Sequence, residues 1–149
     1  MKAYLCGSMT GLKDQGAGWR KKITKWLVKQ GYKVYDPCVK ELGALKTNGV
    51  TRKNYARWEY FPQKLQEHII RTDLRAILTS ELIICYYTRP STGTVSELTW
   101  AFYHNIPIYF VLTGSYVEGW PLTIANRNKV FSGFADLKDF MKEKYAKSK

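Results

Sequence analysis

The stretch Leu82 to Leu98, Leu-Ile-Ile-Cys-Tyr-Tyr-Thr-Arg-Pro-Ser-Thr-Gly-Thr-Val-Ser-Glu-Leu, constrains the fold more than any other part of the 149-residue chain. Leu82 to Tyr87 is aliphatic and aromatic with no polar alternation, which suits a strand covered on both faces of a parallel sheet. The run stops at Pro90 and a Ser/Thr/Gly cluster, behind which helical spacing begins. Strand, turn and helix in that order put the turn at the carboxyl end of a central strand. Open α/β sheets bind ligands there, and a helix amino terminus presents free N–H groups and a positive dipole end to an anion. Ser91 has the chemistry of an N-cap, Gly93 permits close approach of a ligand to the backbone, and Glu97 falls in the second turn beside the same crevice.

The rest of the chain repeats this alternation. Ala3 to Cys6 is a short apolar strand that ends in the small-residue turn Gly7-Ser8-Met9-Thr10-Gly11, a second place suited to phosphate or sugar oxygens. Trp19, Ile23, Trp26 and Leu27 give one apolar helical face with Lys and Arg on the other, and Gly31 follows as a C-cap. Lys33 to Tyr35 reads as the next strand, closed by Asp36-Pro37, so strand, helix and strand form a parallel unit. Residues 39–61 are irregular and rich in aromatics, including Tyr55, Trp58 and Tyr60, and read as a lid-like insertion that either stacks on a base or covers the sheet edge. Leu65, Ile69, Ile70, Asp73, Leu74, Ile77 and Leu78 keep helical spacing, which places the Asp73 carboxylate on or beside an apolar face where it is expensive to bury without a partner or a function. A helix through His104, an apolar strand over Ile106 to Leu112, a loop over Gly114 to Lys129 and a last amphipathic helix with Leu137, Phe140, Met141 and Tyr145 complete the pattern. The expected fold is a Rossmann-like, flavodoxin-like, doubly wound parallel sheet of about five strands with flanking helices.

This length holds one ordinary domain, and with 45% hydrophobic residues a substantial core is available. No apolar run approaches the roughly 20 residues that span a bilayer, and Met1-Lys2 leads straight into the first strand without a signal-peptide pattern. Three cysteines, Cys6 and Cys85 within apolar runs and Cys38 beside Pro37, have no metal or redox spacing and suit buried thiols in a reducing cytoplasm. His68 and His104 lack neighbours at metal-ligand spacing, so neither a metal nor a cofactor is expected. The net charge of +12 is spread over helix faces and the tail, which points to a solvated surface with general attraction to anions and keeps nucleic acid as a partner of second rank.

If the first and central strands are neighbours, their two turns and the carboxylates Asp73 and Glu97 meet in one crevice. That assembly fits glycosyl chemistry, in which one carboxylate attacks an anomeric carbon and a second carboxyl group protonates the leaving group. On this reading the helix dipole helps keep Glu97 ionised, and a less polar position helps keep Asp73 protonated.

Three motifs, Tyr4-Leu5-Cys6-Gly7-Ser8, Asp73-Leu74 with Ile77, and Pro90-Ser91-Thr92-Gly93-Thr94-Val95-Ser96-Glu97-Leu98 with Ala101, carry a resemblance in their order and spacing. The chain resembles the nucleoside 2-deoxyribosyltransferase superfamily, most closely its branch of 2-deoxynucleoside 5′-monophosphate N-glycosidases. The resemblance implies an N-glycosyl hydrolase that cleaves the base–sugar bond of a (deoxy)nucleoside 5′-monophosphate. Glu97 is then the nucleophile that attacks C1′, Tyr4 the phenol that orients it, and Asp73 the residue that assists the departing base. Where transferases of the family carry a carboxylate for the free 5′-hydroxyl, this chain has Ser91, which with Ser8 and the Gly93 N–H resembles the monophosphate-binding set; Gly7 and Thr94 belong to the same two turns. Thr10 stands where the hydrolases tend to carry Arg, so the phosphate charge would fall to Arg20, Arg89 or a partner chain. The family's dimers or larger assemblies imply a homo-oligomer in which Asn126 or Ser115 reaches a neighbouring site, while Asp36 and Trp58 are candidates for contacts to the base. Base exchange by a deoxyribosyltransferase and a non-catalytic nucleotide- or nucleic-acid-binding module remain the competing functions.

Overall fold

Five strands, β1 (Lys2–Gly7), β2 (Lys33–Tyr35), β3 (Leu82–Tyr87), β4 (Ile108–Leu112) and β5 (Lys129–Phe131), form one sheet in the order β2-β1-β3-β4-β5. All four neighbouring pairs are parallel. The computed structural model describes residues 1–9, 12–40, 61–113, 119–126 and 129–146. The doubly wound α/β fold expected from the sequence is therefore the observed one. Its chain order reverses between β1 and β3, the switch point at which such sheets open a crevice for ligands.

The unbroken apolar run of β3 has a plain cause. Ile83, Cys85 and Tyr87 pack on one face with Tyr4, Cys6, Ile108 and Phe110, while Leu82 and Ile84 pack on the other with Ala3, Leu5, Tyr109 and Val111. The first face is covered by α2 (Gln63–Leu78), α3 (Thr92–Tyr103) and α4 (Gly119–Asn126), the second by α1 (Ala17–Lys29) and α5 (Phe134–Ala146). Ile83 and Ile84 point opposite ways and are both enclosed, and each contributes roughly 2 kcal/mol of burial. Helices on both faces thus hold the central strand, and with it the turn that follows.

Two expectations are corrected. Residues 114–129, expected as loop, contain α4 and lead into β5. Pro121 is the third residue of α4, where its missing N–H breaks no helical bond, and β5 is too short to show a period, with only Phe131 buried. The buried stripe of α1 is Arg20, Ile23 and Leu27, so a cation expected on the solvent face lies against the sheet. Thr10, Tyr55, Trp58, Ser115 and nearly all of the insertion expected over residues 39–61 lie outside the described residues. Among the described residues no helix is long and apolar enough to cross a membrane.

Candidate active site

The crevice is built from the ends of β1 and β3. Their register pairs Cys6 with Cys85 and Gly7 with Tyr86, so the turns after both strands lie side by side, as the sequence required for a shared site. The Ser8 hydroxyl donates to the Arg89 carbonyl at 3.0 Å and ties one turn to the other. Ser91 caps α3 as expected: its backbone is extended and its hydroxyl accepts from the Thr94 N–H at 3.4 Å. Val95 N–H makes the first bond of the helix ladder, to Ser91 O, which leaves the amides of Thr92 and Gly93 at the helix end. Among the described residues no atom stands within 4 Å of where a Cβ at Gly93 would lie, and Thr92 and Gly93 are exposed.

Glu97 stands one turn further along α3. The Tyr4 hydroxyl, from the middle of β1, donates to Glu97 Oε1 at 2.7 Å. Burial, and after it the charges of Glu97 and Asp73, push the Tyr4 phenol well above its ordinary value, so it stays a donor. The Glu97 carboxyl itself is pushed up to about 7, above all by burial. The Cys6 thiol and the Tyr4 hydroxyl pull the other way by bonding to the ionised form, Asp73 raises it, and Arg20 lowers it. The expectation that the helix dipole keeps Glu97 ionised is thereby corrected. Glu97 is the sixth residue of the helix, beyond the first turn to which the dipole's effect is confined, and desolvation outweighs it. The single Cys6 S–H is shared between Glu97 and Thr94 O, the latter at 3.8 Å, and burial holds the thiol well above its usual range, so it is a donor rather than a thiolate.

Asp73 is buried on α2 in the stripe Leu65, Ile69, Asp73, Ala76 and Ile77, as its spacing predicted. Its Oδ1 accepts from the Tyr35 hydroxyl at 3.1 Å. Tyr35 is paired in register with Tyr4, and the two rings stack with centroids 5.4 Å apart and planes 10° apart. Two carboxylates, each held by a phenol, are thus brought together over the end of the sheet.

The remaining candidates separate. Arg20, 1% exposed, does not face the crevice: it donates to Gly7 O at 2.7 Å and Gly16 O at 3.2 Å, and its Nε lies 3.4 Å from Asp36 Oδ1. Asp36 in turn accepts from the Cys38 N–H at 3.0 Å, so its carboxylate serves the end of β2. Burial raises Asp36, and the Arg20 guanidinium and that N–H oppose the rise. Arg89, two residues before Ser91 in the same turn, is exposed. Asn126 ends the backbone of α4. A cleft of about 580 Å³ beside α1 and the end of β2 includes Asp36 but none of Tyr4, Asp73, Ser91 or Glu97, and is separate from this set. Sequence reasoning overlooked the bond from Tyr35 to Asp73 and the inward direction of Arg20. The available signals were the equal offset of Tyr4 and Tyr35 in two neighbouring strands and the three-residue step from Arg20 to Ile23.

No family model matches the sequence, and no curated protein matches it. Among solved structures, the chain is similar to a 2-deoxyribosyltransferase from the psychrotolerant bacterium Bacillus psychrosaccharolyticus, at 16% identity over 92% of this chain and 90% of that one, with a TM-score of 0.68. A conserved protein from Enterococcus faecalis V583 is similar at 17% identity over 97% and 98% of the two chains, with a TM-score of 0.69. A CMP N-glycosidase of Clostridium botulinum matches at 16% identity over 88% of this chain and 85% of that one, with a TM-score of 0.54. The doubly wound parallel sheet is therefore a fold that this chain shares with a 2-deoxyribosyltransferase and a CMP N-glycosidase of known structure.

Proposed function

We propose that the chain is an N-glycosidase that hydrolyses the base–sugar bond of a nucleoside 5′-monophosphate. The observation that carries this reading is the half-buried Glu97 carboxylate, held at 2.7 Å by a buried phenol and accompanied by the buried Asp73 carboxylate, one turn from a helix amino terminus whose first residues are exposed. In the first step Glu97 Oε attacks C1′, the C1′–N bond breaks, and its electron pair leaves with the base, to which Asp73 delivers a proton. In the second step water attacks C1′ of the glycosyl ester. Its proton passes to the Asp73 carboxylate, Glu97 leaves as carboxylate, and a sugar 5-phosphate is released. The Tyr4 hydroxyl keeps one Glu97 oxygen fixed through both steps. The helix end at Thr92 and Gly93, the Ser91 hydroxyl and the Arg89 guanidinium supply an anion site for the phosphate. A serine at position 91 favours this over a free 5′-hydroxyl, because a carboxylate there would repel the phosphate.

Release of free base from a panel of ribo- and deoxyribonucleoside 5′-monophosphates and the matching nucleosides tests the reading, with Glu97→Ala as control. Base is expected from monophosphates alone and at least a thousandfold more slowly in the variant, the scale of losing a nucleophile. The rate is expected to rise with pH through about 7, as Glu97 loses its proton. Base exchange that needs a second base would move the function to a deoxyribosyltransferase, and a folded protein that turns over none of these compounds would leave a binding module.

A further inference from the structure

We infer that Tyr35 is the positioning residue for Asp73, standing to the second carboxylate as Tyr4 stands to the first. Both phenols come from neighbouring strands in register, both lie on the face that carries α2 and α3, and their rings stack 5.4 Å apart and nearly parallel. From this stack the hydroxyls diverge, Tyr4 to Glu97 on α3 and Tyr35 to Asp73 on α2. Asp73 is 8% exposed within an apolar stripe, where a carboxylate without a donor is costly. The bond at Oδ1 sets the plane of the carboxyl and so aims the group against the leaving base. The same donor stabilises the negative charge that develops on the carboxyl as its proton passes to the base. Tyr35 lies at the edge of the crevice, half-buried, with the Lys2 ammonium 5.5 Å from its ring centre. It touches no reacting atom and acts through Asp73.

The consequence for turnover rests on the glycosidase reading, whereas the bond's effect on Asp73 does not, and the test separates the two. Tyr35→Phe keeps the stacked ring and removes only the donor. With the monophosphate that the wild type cleaves, the variant is expected to lose about tenfold in kcat, the scale of one charge-assisted bond, with KM within about twofold. The basic limb of its kcat profile is expected to move to higher pH, because Asp73 keeps its proton longer. Added to Asp73→Asn, the same change is expected to cost nothing further. An undiminished loss in that background, or an unmoved basic limb, would overturn the inference. Independently of turnover, the Asp73 carboxyl carbon followed by NMR should titrate at higher pH in Tyr35→Phe than in the wild type. An unchanged midpoint overturns the assignment even if the enzyme is active. A wild type that releases no base refutes the glycosidase reading and leaves the NMR comparison to decide the role of Tyr35.

Discussion

The turns that follow β1 and β3 both contain glycine and serine and both end a buried strand, yet the structure uses them differently. At Gly7, with φ +155°, a Cβ would stand 2.6 Å from the Tyr86 carbonyl oxygen and 3.0 Å from the Trp19 ring. The Gly7 carbonyl is taken by Arg20, and the buried Ser8 hydroxyl by Arg89 O. At Gly93 a Cβ would meet nothing within 4 Å, and the neighbouring Ser91 is only half-buried. Gly7 and Ser8 of the first turn are enclosed by their own chain, whereas Thr92 and Gly93 of the second are exposed. A glycine in a strand-end turn is therefore no sign of a ligand until its surroundings are known. Gly7 is required by the approach of β3 and the indole, whereas nothing among the described residues crowds Gly93.

The largest effect that this contrast predicts is on stability. Gly7→Ala forces a methyl group against a backbone oxygen that belongs to the central strand and cannot rotate away. Overpacking together with a backbone conformation that L-residues rarely adopt should cost about 4 kcal/mol. Urea unfolding followed by circular dichroism would measure it. A loss below about 1 kcal/mol would mean that the β1 turn has slack, and that the contrast with the β3 turn is not one of closure.

Next in size is a pH-dependent effect at the site that the open turn serves. Glu97 ionises at about 7 in the folded protein against an ordinary value of 4.5, so the stability it contributes is complete below about 4.5 and is lost as pH rises through 7. Glu97→Gln keeps an oxygen for the Tyr4 hydroxyl and removes that loss. The variant should match the wild type near pH 4 and exceed it by at most roughly 3 kcal/mol at pH 8, while base release is abolished. Equal melting temperatures at pH 8 would show that the Glu97 carboxyl is well solvated. The combination of gained stability and lost activity would mark Glu97 as a group placed for chemistry rather than for the fold.

How much of this was legible before the structure depended on the range over which the cause acts. The buried central strand, its Ser91 cap and the two carboxylates were readable because each is a matter of local run or spacing. Leu82 to Tyr87 never alternates, and Asp73 interrupts an otherwise apolar helical stripe. β5 and α4 were not legible, since three residues carry no period and Gly119 and Pro121 read as loop punctuation. By its spacing Arg20 reads as one cation among many on the solvent face of its helix, free to meet a phosphate. Only the folded chain brings two carbonyls to the guanidinium as acceptors and the Asp36 carboxylate to it as an ion-pair partner, and these offset the cost of its burial. The Tyr35 bond depends on strand register, and the proton affinity of Glu97 depends on burial by elements distant in sequence. Neither is written in the residues around it.

The smallest effect on stability is also the one that separates the two turns most cleanly. Gly93→Ala adds a methyl group in the first turn of α3, in open space and at a helical position, so it should leave stability unchanged or raise it by about 0.5 kcal/mol. If the phosphate rests on the Thr92 and Gly93 amides, that methyl group stands in its approach. KM for the monophosphate should then rise about tenfold while kcat changes little, the signature of lost uniform binding. The affinity of the nucleoside, measured as a competitive inhibitor with no phosphate to seat, should be unaffected. A variant that is stable and fully active on the monophosphate would move the anion away from this helix end and leave the exposed Arg89 to hold it alone. An equal loss on nucleoside and monophosphate would instead mean that the methyl group disturbs Glu97, one turn on, and that the open turn positions the nucleophile rather than the phosphate.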